Sequence, residues 1–369
     1  MIDLRRYCLP LAAALLAAAS LAASPARATD FIVGQARISV AAPADARGDD
    51  SRRLNIVVWY PAAAGSATQP MADGPPGTPF FVEGASSRDA VPAASPRTLP
   101  LIVASHGSGG TASGMGWFAA GLASRGYVVA AVDHPGNNGL APETVPGITL
   151  SWLRASDLSR TIDAVLADPR FASRIDRTQI GAAGFSIGGN SVLELAGARS
   201  DLSALHAYCT GKPQTPVCSG QASRHPGLAQ DAQALALSDA VYRDALTQAG
   251  NSYRDPRVKA VFAMAPAVGP EFTAASLRAI AIPVEIVAGV ADPLVPVADN
   301  AILVAGGIPG AHLDLLDPPV GHFTFVTQCA PAGTAQLGYL CADSGPVRAK
   351  AHEAAITLAR AFFTAKLVR

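Results

Sequence analysis

Charge is scarce in this chain of 369 residues: Asp, Glu, Lys and Arg make up 15% of it, and 28 basic residues face 28 acidic ones. A surface built to hold a polyanion needs an excess of Lys and Arg, so this balance gives no footing to a nucleic-acid partner. The apolar run from Leu9 to Ala23 is shorter than the roughly 20 residues that a membrane-spanning helix requires. A phosphate-binding Gly-Lys-Thr sequence, paired metal-binding histidines and a dinucleotide fingerprint are all missing, so neither a metal nor a cofactor is expected. No internal repeat is evident. Cysteine is sparse as well, at five residues.

Half of the chain is apolar, which supplies a large core and excludes a disordered chain. Arg5 and Arg6 precede the run from Leu9, and Ala26-Arg27-Ala28 closes it with small residues. That pattern predicts a secretory signal peptide over residues 1–28, and a mature chain from residue 29 without an integral membrane segment. Cleavage would leave 25 basic and 27 acidic residues. It would also leave four cysteines, Cys209, Cys218, Cys329 and Cys341. An even number in an exported protein predicts two disulfides, and closeness in sequence favours Cys209 with Cys218 and Cys329 with Cys341. A four-cysteine zinc site competes with that reading, but neither pair has the spacing such sites favour. A periplasmic or secreted location follows.

The apolar pattern alternates between strands and helices. Phe31 to Val40 and Leu54 to Tyr60 read as an opening hairpin, and the Pro-, Gly- and Ser-rich stretch between Pro61 and Pro100 as a long surface loop. Strands are expected at Leu101–Ala104, Tyr127–Val132, Ile180–Ala183, Val258–Ala265, Val284–Ala288 and Leu313–Leu316. Helices are expected near Trp117–Ser124, Trp152–Leu166 and Arg348–Leu367. This is an α/β pattern, a mostly parallel central sheet with helices on both faces, formed by residues 29–369 as one domain. Residues 197–255 interrupt it, with Tyr208–Pro226 loop-like and Leu228–Leu246 helical. They form either a cap over the site or a peripheral insertion.

The chemistry concentrates at Gly184-Phe185-Ser186-Ile187-Gly188-Gly189, where an apolar strand meets a helical pattern through a Gly-x-Ser-x-Gly turn. Such a turn holds a serine in a strained conformation at the tip of a sheet, and small neighbours let the backbones approach. Ser186 is thus the candidate nucleophile. It needs a base, and the base a carboxylate. Asp292 follows the strand Val284–Ala288, at the end where strands deliver residues to a ligand. His322 sits in the loop after the last strand, whereas His312 falls at a strand start, the opposite end of the sheet. Glu271 is the alternative acid. His106, His134, His206, His225 and His352 suit structural or solvent-facing roles. For an oxyanion the candidate donors are the amides of Ile187 and of Ser108, with Gly107 second, in the glycine-rich turn after Leu101–Ala104.

Ser105-His106-Gly107-Ser108-Gly109-Gly110, Tyr127-Val128-Val129, Asp133-His134-Pro135-Gly136, the Ser186 turn and Gly321-His322-Phe323 together give the chain a family resemblance. It resembles the α/β-hydrolases, and more narrowly the bacterial dienelactone-hydrolase-like group related to platelet-activating factor acetylhydrolase. The resemblance implies an α/β-hydrolase fold with an insertion after the nucleophile helix, and a serine hydrolase acting on a small-molecule or oligomeric carboxylic ester. Dienelactone hydrolases use a cysteine where this chain has Ser186, and polyester hydrolases often carry histidine where it has Phe185. Acetylhydrolases take their acid from the loop that here reads Ala265-Pro266-Ala267, which favours Asp292. An amide hydrolase on the same machinery, of the poly(aspartic acid) hydrolase kind, and a silent fold used for binding are the other readings.

Overall fold

Among the described residues ten strands make one sheet, in the spatial order His312–Leu316, Val284–Gly289, Val258–Met264, Ile175–Phe185, Leu99–Ser105, Val128–Val132, Arg53–Ala62, Ile32–Ala41, Phe81–Arg88 and Gln69–Asp73. The computed structural model describes residues 30–42, 44–48 and 53–368, so the expected signal segment lies outside the described residues. The first two strands, β1 (Ile32–Ala41) and β2 (Arg53–Ala62), pair antiparallel as the expected hairpin. Strands β5 (Leu99–Ser105), β6 (Val128–Val132), β7 (Ile175–Phe185), β8 (Val258–Met264), β9 (Val284–Gly289) and β10 (His312–Leu316) are parallel to their neighbours among themselves. Covered on both faces, they read as continuous apolar runs such as the wholly buried Val128–Val132.

Helices flank both faces. On β7 a Cβ at Gly181 would meet Phe363 and Leu367 of the helix Pro346–Leu367, and one at Gly184 would meet Gly188 of the helix Ile187–Ala196. Residues three apart on a strand point to opposite sides. The two helices therefore lie on opposite faces.

Two expectations need correction. The stretch from Pro61 to Pro100 contains β3 (Gln69–Asp73) and β4 (Phe81–Arg88), and β4 pairs parallel with β1 through Gly34–Ser87 and Gln35–Arg88. β3 is the sheet edge and β4 lies between it and β1, and such marginal strands, held by backbone pairing, need little apolar patterning, which hides them in a Pro- and Gly-rich sequence. Residues Tyr208–Pro226, read as a loop, belong largely to the helices Leu202–Gly211 and Pro216–Arg224. Asp201 caps the first of them by accepting from the Ser203 and Ala204 amides at 2.9 and 3.1 Å, and the disulfide Cys209–Cys218 joins the two. Local caps and a crosslink override weak periodicity. The second disulfide is Cys329–Cys341. Among the described residues no helix is long and apolar enough to cross a membrane.

Most buried apolar side chains gather around the sheet, while Leu150, Trp152, Leu153, Tyr242, Ala245 and Ala249 form a smaller core of their own. There the helix Ala240–Leu246 docks on the chain ahead of Leu153, and the Tyr242 hydroxyl meets Thr149 Oγ1 at 2.8 Å.

One group of buried charges is organised around Asp157. Arg47 grips Asp157 with both terminal nitrogens at 2.8 and 2.9 Å, and His134 Nδ1 reaches the same carboxylate at 3.0 Å. Burial alone would raise the Asp157 carboxyl, but Arg47 and His134 outweigh it and hold it below the usual carboxylate range. Removing one member of a buried, hydrogen-bonded pair strands the other. Arg47→Met is expected to cost about 3–5 kcal/mol in denaturant unfolding. Arg160, 36% exposed and 3.9 Å from the same carboxylate, should change stability by less than about 1 kcal/mol when replaced by Ala.

Candidate active site

Strand β7 ends in a sharp turn at Ser186, whose φ of 56° and ψ of −124° lie where a non-glycine residue is strained. The geometry around it explains the glycines. A Cβ on Gly184 would run into the Gly188 carbonyl, one on Gly188 into the Ser105 carbonyl, and one on Gly189 would stand 2.9 Å from Pro266 Cα. The turn is pinned by the Ser186 amide donating to the Met264 carbonyl at 2.9 Å and the Gly189 amide donating to the Ser186 carbonyl at 2.8 Å.

Asp292 follows β9 in a turn where it accepts the Leu294 and Val295 amides at 2.9 and 2.7 Å with one oxygen. Its other oxygen meets His322 Nδ1 at 2.7 Å, and His322 Nε2 meets Ser186 Oγ at 2.9 Å. The Asp292 and His322 loops are closed on each other, because the Ala291 amide donates to the Val320 carbonyl at 3.0 Å and Gly289 packs against that carbonyl. Phe185 covers the imidazole from the side, with ring centroids 4.9 Å apart. Asp292 and His322 are each 6% exposed and Ser186 9%. The three are thus largely shielded from bulk water, and the Ser186 oxygen is left at the floor of a cleft.

Beside the serine runs the turn after β5. The Gly110 amide donates to the Gly107 carbonyl at 3.1 Å, the Gly109 amide to Asn137 Oδ1 at 3.0 Å, and Asn137 Nδ2 to Ser108 Oγ at 3.2 Å. Among the described residues the amides of Ser108 and Ile187 have no protein acceptor, and both residues line the cleft with Ser186. A Cβ on Gly107 would stand 3.3 Å from the Ser186 Cβ and 3.0 Å from Phe185, which brings this turn against the serine.

The other candidates, His106 apart, lie elsewhere. Glu271 is buried beside Ser200 and Glu194, and burial raises both carboxyls. His312 is exposed at the start of β10. His352 stacks on Trp117 at 3.6 Å and contacts Glu83. His134 Nε2 meets Ser105 Oγ at 2.8 Å, and burial together with Arg154 lowers its pKa to about 3. His106 lines the cleft, but burial, Arg154 and His134 push its pKa well below the ordinary value, so it stays neutral. Sequence reasoning missed Arg154. This buried side chain donates to the His106 carbonyl, and burial lowers its pKa to about 9.

Residues 85–144 match the family described as platelet-activating factor acetylhydrolase, isoform II. Two cutinases of Thermobifida alba, est2 and est1, are 34% and 33% identical over 109 residues, which cover 29% of this chain and 33% of each relative. The chain thus matches a third of the length of these curated relatives. Over nearly the whole chain the fold resembles that of a ferulic acid esterase from Streptomyces cinnamoneus, with a TM-score of 0.59 and 22% identity, covering 94% of this chain and 92% of the other. The chain is an α/β-hydrolase by fold. Its sheet order and the Ser186 turn between β7 and the helix Ile187–Ala196 fit that assignment.

The cleft measures about 990 Å³. Apolar side chains from separate segments wall it, among them Phe80, Leu140, Val217, Leu294, Phe323 and Tyr339. Val217 belongs to the helix Pro216–Arg224, so the 197–255 insertion contributes to the wall. Arg224 stands at the same wall, 3.5 Å from the Ser108 carbonyl.

A methyl group at Gly188 has no room, because its neighbour is backbone. Gly188→Ala is expected to lower stability by about 1–3 kcal/mol. Gly306, in the helix Ala301–Gly307 with nothing within 4 Å of an added Cβ, makes the control. Gly306→Ala should gain about 0.5–1 kcal/mol in the same denaturant titration.

Proposed function

We propose that this protein is an exported serine esterase that cleaves carboxylic esters through an acyl-enzyme. The observation that carries the reading is the chain Ser186 Oγ, His322 Nε2, His322 Nδ1 and Asp292 Oδ2, linked at 2.9 and 2.7 Å, opening onto an apolar cleft. A serine hydroxyl becomes a nucleophile when a base takes its proton, and an imidazole held by a carboxylate is oriented to do so.

In this reading Ser186 Oγ attacks the ester carbonyl carbon while its proton passes to His322 Nε2. Asp292 keeps the Nδ1 proton in place and balances the imidazolium. The negative charge that develops on the carbonyl oxygen is received by the Ser108 and Ile187 amides, the latter on the first residue of the helix that follows the serine. Collapse of the tetrahedral adduct breaks the bond to the alcohol, which leaves with the proton from His322. Water, activated by the same imidazole, then releases the acid and regenerates Ser186. No metal is called for at any step. The cutinase and feruloyl esterase relatives favour an ester over an amide, and the apolar wall suits an acyl or aryl group in place of a charged one. The two disulfides support an oxidising compartment, periplasmic or extracellular.

Hydrolysis of short-chain p-nitrophenyl esters by the protein tests this directly. Activity should fall by roughly 10⁴-fold or more in Ser186→Ala, and by a comparable factor in Asp292→Asn, which leaves the imidazole misoriented. A fluorophosphonate should label the parent and not Ser186→Ala. If Ser186→Ala matched the parent, the serine would be only a turn residue.

A further inference from the structure

At the edge of the sheet, away from the cleft, β9 and β10 bring together three side chains that the esterase reading does not use. In the parallel register His312 stands beside Glu285, and Asp314 follows two residues later. Side chains two apart on a strand project from the same face, so the imidazole and both carboxylates converge there. One ligand atom from each of Glu285, His312 and Asp314 lies within 4.8 Å of the other two.

Glu285 is 8% exposed, and among the described residues no group outside the cluster donates a hydrogen bond to its carboxylate. Asp314 Oδ2 is shut off from solvent and has no hydrogen-bond partner, although His312 Nδ1 stands 3.2 Å away. Two carboxyl groups side by side cannot both stay ionised without a proton or a cation between them.

We propose that Glu285, His312 and Asp314 bind a divalent transition-metal ion, with zinc as the best fit. Zinc takes mixed nitrogen and oxygen ligands at about 2.0–2.2 Å, so donors around one ion lie roughly 3.4 Å apart. The three donors, now within 4.8 Å of one another, would close to that spacing around the ion. The imidazole argues against calcium and magnesium, which prefer all-oxygen shells. Three protein ligands leave a position for water on the open side, since β10 is the sheet edge and the His312 side chain is 67% exposed. The three residues sit at or near the starts of β9 and in β10, whereas Asp292 and His322 follow the ends of those strands. The ion would fasten the edge strand to its neighbour and take no part at Ser186. The inference is independent of the esterase reading.

The test is zinc chloride titrated into the full chain after treatment with EDTA, followed by thermal unfolding and by calorimetry. At about 100-fold over Kd the parent should melt roughly 2–5 °C higher. His312→Ala and Asp314→Asn should lose both the shift and the binding heat. Removing the exposed imidazole leaves the core intact, so His312→Ala keeps the test readable even where a carboxylate variant folds poorly. An absent shift and heat in the parent, or an equal shift in parent and His312→Ala, would overturn the site.

Discussion

The backbone of Ser186 constrains this structure more than any other feature. Holding a non-glycine residue at a φ of 56° costs on the order of 1–3 kcal/mol, and the turn persists only because its surroundings leave no alternative. Gly184, Gly188 and Gly189 allow the approach of three backbone segments, namely the first turn of the following helix, the end of β5 and the exit of β8. Those contacts set the position of the serine relative to the Ser108 turn and to β8 before any polar side chain is considered. The Asp292 and His322 loops then have only to reach a point that is already fixed. They do so as one unit, because Val320 accepts the amide of Ala291.

This logic explains what could be read from the sequence. Ser186, Asp292 and His322 lie in loops at strand ends, each preceded by an apolar run, and strand ends are where side chains are delivered to one edge of a parallel sheet. Their meeting across 136 and 30 residues was thus foreseeable from local pattern and order along the chain. The core strands were equally legible, since strands buried on both faces must be apolar throughout. What escaped was structure defined by partners remote in sequence. Arg47 and Asp157 are 110 residues apart, and nothing in either neighbourhood marks them as a pair. Strand β4 carries Gly84 and three polar side chains among its eight residues Phe81–Arg88 apart from Glu83, and it is held by backbone pairing with β1.

The insertion after the Ser186 helix shows the same division between anchored and applied chain. Its later part is fixed through Tyr242 and Ala245 in the small core with Trp152. Its earlier helix, Leu202–Gly211, buries no residue fully, so packing alone holds it weakly. The crosslink Cys209–Cys218 joins that helix to Pro216–Arg224, the part that walls the cleft. A covalent tie there does the work that a hydrophobic face does elsewhere, and it explains why helical periodicity was faint in this stretch.

The scarcity of charge gives meaning to where charges are buried. Beneath the turn after β5, Arg47, Asp157, His134 and Ser105 form a continuous polar chain, and Arg154 holds the His106 carbonyl. Burial and Arg154 keep the two imidazoles of this region neutral. A neutral imidazole can accept and donate hydrogen bonds at once, whereas an imidazolium would bring a second cation next to Arg154. The network therefore stiffens the strand end that carries the Ser108 amide without setting a competing acid or base beside Ser186. Of the cleft-lining histidines named above, that leaves His322, with Asp292 on one nitrogen and Ser186 on the other, as the one to which the proposed esterase reading assigns the proton transfer.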